Sequence, residues 1–168
     1  MTKEEQLFFQ HRGRTLLLDS NLLLLFLAGN LGSDFLQRFP RVREYDFDDY
    51  ELLRQTLKQF KTILTTPHVL TEITNLANKL SGTDRVEWSE YLVRFITSDA
   101  VQEKWIAARE LARAGEFIEF GITDSAIGAI ASEALVLTDD FPLSGNLRSR
   151  GFDVWNFKEL RSIWDGIY

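Results

Sequence analysis

The sequence predicts a three-layer α/β/α sandwich with a mostly parallel central sheet, and three observations carry that expectation. Thr15-Leu16-Leu17-Leu18 and Leu135-Val136-Leu137-Thr138 are short, continuous apolar runs, as in strands covered on both faces. Candidate strands are separated by helix-forming sequence, which implies βαβ crossovers with helices on both faces of the sheet. Both runs end in acids, Asp19 and Asp139-Asp140. These belong at the carboxyl edge, where such sheets bind ligands.

The first strand is expected over residues 14–18, followed by a helix through Leu22–Leu27 that Ser20 or Asn21 can cap. Residues 29–47 lack periodicity, contain Gly29-Asn30, Gly32-Ser33 and Pro40, and read as a loop with one turn of helix at most. Asp46-Phe47-Asp48-Asp49 then opens a helix to about Phe60, because acids favour a helix N-terminus. Residues 62–65 form the next candidate strand, and Thr66-Pro67 an N-cap with proline at the first helical position.

The helix beyond carries a stripe of Val69, Leu70, Ile73, Leu76, Ala77 and Leu80, with Gly82 as its stop. Glu72 falls on the border of that stripe, while Asn75 and Asn78 fall away from it and read as exposed. Helices are expected over 84–98 and 101–114, ending at Gly115. Residues 117–120 read as a short strand or an approach to the next helix. Thr123 can cap that helix, whose small residues (Ala126, Gly128, Ala129, Ala131, Ala134) suit close packing on a sheet. A strand over 134–138, helical turns near 142–149 ending at Gly151, a strand over 152–157 and a helix from Lys158 complete the series.

The 168 residues suit one domain, 1–168, with a single core. A 45 % hydrophobic and 26 % charged composition indicates a folded, soluble chain. The net charge of −6 argues against holding nucleic acid by general electrostatics alone. It leaves room for a nuclease whose negative charge is gathered at a metal site. The absence of cysteine removes disulfides, thiolate catalysis and cysteine-bound zinc. Residues 1–14 lack a basic-then-apolar signal pattern. The apolar region from Leu16 to Ala28 is short for a membrane span and broken by Asp19-Ser20-Asn21. A cytoplasmic protein with no membrane association is therefore expected.

Four acids stand at element ends or stripe borders: Asp19, Glu72, Asp124 and Asp140. Each has an ordinary alternative. An Asp after a strand is commonly a turn or cap residue, Glu72 alone reads as a solvated helix residue, and Asp124 beside Thr123 suits a helix dipole. The four together carry the signal. Two unit charges ~4 Å apart repel by about 1 kcal/mol in water and ~4 kcal/mol at an effective dielectric of 20. Converging carboxylates therefore call for a cation or protons. An all-oxygen donor set selects hard cations, Mg²⁺ or Mn²⁺. Such an ion lowers the pKa of bound water and steadies charge on a phosphodiester in transit.

Ordered blocks around these acids resemble the PIN-domain family, the nuclease fold of many bacterial toxin–antitoxin pairs. The blocks are Leu16-Leu17-Leu18-Asp19-Ser20-Asn21-Leu22-Leu23, Pro67-His68-Val69-Leu70-Thr71-Glu72-Ile73, Gly121-Ile122-Thr123-Asp124-Ser125-Ala126 and Leu135-Val136-Leu137-Thr138-Asp139-Asp140-Phe141. The likeness covers most of the chain, roughly residues 14–157. By that register Asp140 is the fourth acid and Thr138 its hydroxyl partner, with Asp139 a rival for the acid. The resemblance implies a single PIN-like nuclease domain: a metal-dependent endoribonuclease with Asp19, Glu72, Asp124 and Asp140 as metal ligands and catalytic acids, and Thr138 beside them. It implies an RNA substrate and a homodimer, and for a toxin a small antitoxin protein that blocks the site. The long segment 29–48 departs from the compact toxins of the family, which leaves a non-toxin RNA-processing nuclease as an alternative.

Thr138 and Ser20 are candidates to orient water or a scissile phosphate; both hydroxyls also suit local caps. His11 and His68 read as surface or cap residues. Arg148, Arg150, Lys158 and Arg161 form a late basic group able to touch an RNA backbone or simply to face solvent. Trp88, Trp105, Trp155 and Trp164 read as core or interface anchors. A phosphoryl-transfer domain fits less well. Asn21 stands where dehalogenase-like phosphatases carry a second Asp, and no Lys follows Thr138 until Lys158, after the next strand. No GxxxxGK[ST] is present. A non-catalytic module on the same fold is the third reading.

Overall fold

Among residues 2–167, which the computed structural model describes, five strands form one parallel sheet. They are β1 (Thr15–Leu18), β2 (Thr62–Thr65), β3 (Val101–Glu103), β4 (Leu135–Thr138) and β5 (Val154–Asn156), in the order β3-β2-β1-β4-β5. Side chains are described through residue 162, so that of Trp164 lies outside the described residues. The helices are α1 (Lys3–His11), α2 (Ser20–Asn30), α3 (Ser33–Arg38), α4 (Phe47–Leu57), α5 (Pro67–Leu76), α6 (Gly82–Ile96), α7 (Ala108–Ala112), α8 (Phe117–Ile130), α9 (Phe141–Ser149) and α10 (Phe157–Ile167). They flank the sheet as a three-layer α/β/α sandwich.

The chain builds outward from β1 to β2 and β3, then returns to lay β4 against the other side of β1. The strand order reverses between β1 and β4, and their carboxyl ends are the place where open parallel sheets bind ligands. Register sets what meets there. Leu18 lies opposite Leu137, so Asp19 emerges beside Thr138; Leu17 lies opposite Leu64, so α2 and α5 start side by side. Leu16, Leu17, Leu18, Leu135, Val136 and Leu137 are all buried, as continuous apolar runs require.

Helix α2 is apolar around its whole circumference, with Leu22, Leu23, Leu24, Leu25 and Leu27 each at most 1 % exposed. A helix of that composition belongs inside a protein, and it packs against α3, α4, α5 and α6. Its cap is Asp19 itself, whose Oδ1 accepts from Leu22 N–H at 2.9 Å, rather than Ser20 or Asn21. Segment 29–48 is more ordered than its composition indicated. It forms α3 and a 3₁₀ turn over Pro40–Val42, and buries Phe35 and Phe39 against Trp88 of α6.

Other expectations shift. Residues 101–114 are not one helix: Val101–Glu103 pairs with β2 as an edge strand, and only Ala108–Ala112 is helical. Residues 117–120 are helical, not extended. Gly121, at φ +77°, breaks α8 there, so the break rather than a Thr123 cap starts the helix that carries Asp124. Helix α5 ends at Leu76, and Gly82 begins α6 instead of stopping α5. The N-terminal helix α1 was not expected; a reciprocal capping box between Thr2 and Glu5 starts it.

Gly29 of α2 faces the buried Tyr50 ring of α4 so closely that a Cβ would stand 2.1 Å from a ring carbon. Gly29→Ala is expected to lower the unfolding free energy by about 2 kcal/mol in urea denaturation, overpacking outweighing the usual helix gain of alanine.

Candidate active site

Two linked groups of acids occupy the carboxyl edge of the sheet. In the first, Asp19 Oδ2 accepts from the Thr138 hydroxyl and from Asp139 N–H at 3.1 Å. Asp19 is 5 % exposed, and its oxygens thus hold α2 and β4 together. Burial, reinforced by the charge of Asp139, pushes its carboxyl up to about 7, against the pull of the Thr138, Leu22 and Asp139 donors. Asp139 is equally buried and accepts from the Tyr45 phenol, whose own pKa is raised, first by burial and then by that bond.

In the second group, Asp124 lies in the charge field of Asp140 and Glu72. Burial first, then those two carboxylates, push it up to about 6. The Asp124 carboxyl makes no hydrogen bond or ion pair with a described residue. The groups join at two points. Ser20 Oγ, adjacent to Asp19, donates to Glu72 Oε2 at 2.8 Å, and Asp140 N–H donates to Thr138 Oγ1 at 3.0 Å. Asp140 is exposed and caps α9 through Leu143 N–H at 2.8 Å.

All four acids expected from the sequence, with Thr138, therefore stand at one end of the sheet. Among the described residues, however, no three His, Asp or Glu side chains are placed to enclose a metal ion together. Several of the carboxylate oxygens accept hydrogen bonds from the protein instead. The contest between Asp139 and Asp140 separates on environment: Asp139 is buried under Tyr45, whereas Asp140 is exposed and shares a field with Asp124. Tyr45 was missed, because a lone tyrosine in an irregular segment carries no spacing signal.

The late basic group is mostly neutralised. Arg148 pairs with Glu159, Arg150 with Glu116, Arg161 with Asp46 and Asp49, and Lys158 lies over the Phe141 ring. His11 is not a simple surface residue; its Nε2 contacts Asp153 at 2.8 Å. His68 follows the Pro67 start of α5, and its Nδ1 is buried without a partner. Trp88 and Trp155 are core residues, whereas Trp105 is 72 % exposed. A cavity of about 530 Å³ opens between α5 and the start of the helix after Gly121, with Glu72 on its margin.

No protein-family model and no curated protein matches the chain. A solved structure described as a domain of a functionally unknown protein from Methanocaldococcus jannaschii DSM 2661 is similar to it. The TM-score is 0.46 and the identity 17 %, over 86 % of this chain and 91 % of that one. Among the described residues, no helix is long and apolar enough to cross a membrane.

The raised carboxyls fix a sign for pH dependence. Between about pH 4 and 6–7 the folded chain retains protons that the unfolded chain has released, so stability falls as pH rises through that window. In metal-free protein, Asp124→Asn is expected to flatten the fall and to add on the order of 1–3 kcal/mol at pH 8. At pH 3.5 the gain should vanish. Urea denaturation across that range measures it; an equal effect at both pH values would contradict the assigned cause.

Proposed function

We propose that this protein is a metal-dependent endoribonuclease of the PIN-domain type. The observation that carries the reading is the meeting of Glu72, Asp124 and Asp140 in one field at the sheet's crevice, joined to Asp19 through Ser20 and Thr138. The donor chemistry suits Mg²⁺ or Mn²⁺, being oxygen throughout. A closed cage of three carboxylates is not required, because Mg²⁺ keeps several waters and takes one or two carboxylates together with substrate phosphate oxygens.

Asp124 with one of its two acidic neighbours, Asp140 or Glu72, would hold the ion, and Asp19 would lie behind them. A bound ion supplies an activated water and charge stabilisation at a phosphodiester in transit. The chain's own residues do the positioning. Ser20 holds Glu72 in place, Thr138 fixes the Asp19 carboxylate and receives the Asp140 backbone, and Asp139 with Tyr45 closes the interior side. In the toxin form of this reading the enzyme is a cytoplasmic homodimer whose small antitoxin protein covers the crevice. In the other form it processes RNA without such a partner.

One observation favours a second reading, a non-catalytic module: both Asp19 oxygens are already engaged as cap and strand tie. The two readings part on activity. Purified protein with Mg²⁺ or Mn²⁺ is expected to cleave RNA internally, and chelator to abolish cleavage. Asp124→Asn should lower the rate by about 10²–10³-fold, in the range for loss of electrostatic stabilisation. Thr138→Val should cost about 10–100-fold, as for groups that orient a metal ligand. Cleavage that survives chelator, or full activity in Asp124→Asn, would contradict the proposal.

A further inference from the structure

We propose that the groove along α5 is a track for single-stranded RNA. In it the 530 Å³ cavity takes the base beside the scissile phosphate, and Arg41 and Lys79 take the phosphate beyond. The identity of the cut strand rests on the nuclease reading; the track itself rests on the shape and lining of the groove.

The cavity shares Glu72 with the acids, and Thr123 on its wall directly precedes Asp124. Its volume lies within the roughly 300–1,000 Å³ of small-molecule clefts. Pro67, Leu76 and Ile122 supply apolar walls, while His68, Thr71 and Asn75 line it at helical spacing along one side of α5. That mixture suits a nucleobase: two apolar faces and a polar edge. An imidazole ring is a stacking surface for an unpaired base. The Asn75 amide offers both donors and an acceptor to a base edge. The His68 Nδ1 is buried without a hydrogen-bond partner among the described residues. A base inside a duplex would not reach such a pocket, which selects single strands.

A second cavity, of about 370 Å³, shares Asn75 and Leu76 with the first and continues away from the acids. Arg41 and Lys79 line it; both are exposed, and neither pairs with an acid among the described residues. The three late arginines, by contrast, are tied to carboxylates. A chain of net charge −6 must confine its attraction for a polyanion to local cations of this kind. Arg41 also gives a use to segment 29–48, which brings it to the end of α5.

Fluorescence anisotropy of a labelled, mixed-sequence single-stranded RNA tests the track. Ca²⁺ replaces Mg²⁺ so that the strand stays intact. Asn75→Leu and His68→Ala are each expected to weaken binding about ten-fold, the scale of removing one side chain from beneath a base. Arg41→Glu with Lys79→Glu should weaken it at least as much and make the salt dependence shallower by roughly 0.7 for each phosphate no longer neutralised. Asn75, Arg41 and Lys79 are exposed, so those variants keep the fold. All variants binding within two-fold of wild type, or no affinity in wild type, would overturn the track. Variant-sensitive binding without metal-dependent cleavage would leave the track standing and defeat the nuclease reading. Chelator-sensitive cleavage indifferent to these variants would do the reverse.

Discussion

Asp19 is the joint on which the crevice depends. One oxygen starts α2 by accepting from Leu22 N–H; the other takes the Thr138 hydroxyl and the Asp139 backbone at the end of β4. The strand order reverses between β1 and β4, whose ladder runs to Leu18 opposite Leu137 and closes with Asp19 N–H donating to the Leu137 carbonyl at 3.2 Å. The buried Asp19 carboxyl, with three donors, extends that tie past the end of the ladder. The same bonds aim Ser20 at Glu72 and set Asp140 at the mouth.

The arrangement sets stability against function. Burial and neighbouring acids raise the carboxyls of Asp19 and Asp124, so at neutral pH the folded chain carries charge that it would shed if it could. Ordinary cores avoid such groups or pair them with cations. Here the charged groups that act on Asp124 are two further acids. Retaining a repulsive set at the ligand-binding edge of a parallel sheet makes sense if something positive arrives from solution.

The sequence made the inner strands legible because burial on both faces leaves a continuous apolar run, as in Leu16–Leu18 and Leu135–Leu137. The edge strand β3 escaped for the opposite reason. Val101–Glu103 is partly solvated and polar, and only its pairing with β2 makes it a strand. The break at Gly121 escaped as well, because Thr123 offered an ordinary cap for the helix beyond it. Asp19, Asp124 and Asp140 were found because they stand at element ends, and Glu72 because it borders the apolar stripe of α5. Their partners were not: Tyr45 reaches Asp139 across 94 residues, and the pairing of the late arginines is a matter of tertiary approach.

The most direct test is where a hard cation goes, independent of any turnover. Mn²⁺ titrated into isotope-labelled protein broadens the NMR signals of nearby nuclei. Stoichiometric Mn²⁺ should selectively erase amide signals around residues 19–20, 72, 124 and 138–140, and Mg²⁺ in excess should restore them. Broadening centred on another part of the surface, or none beyond the uniform background, would contradict a cation site at the crevice.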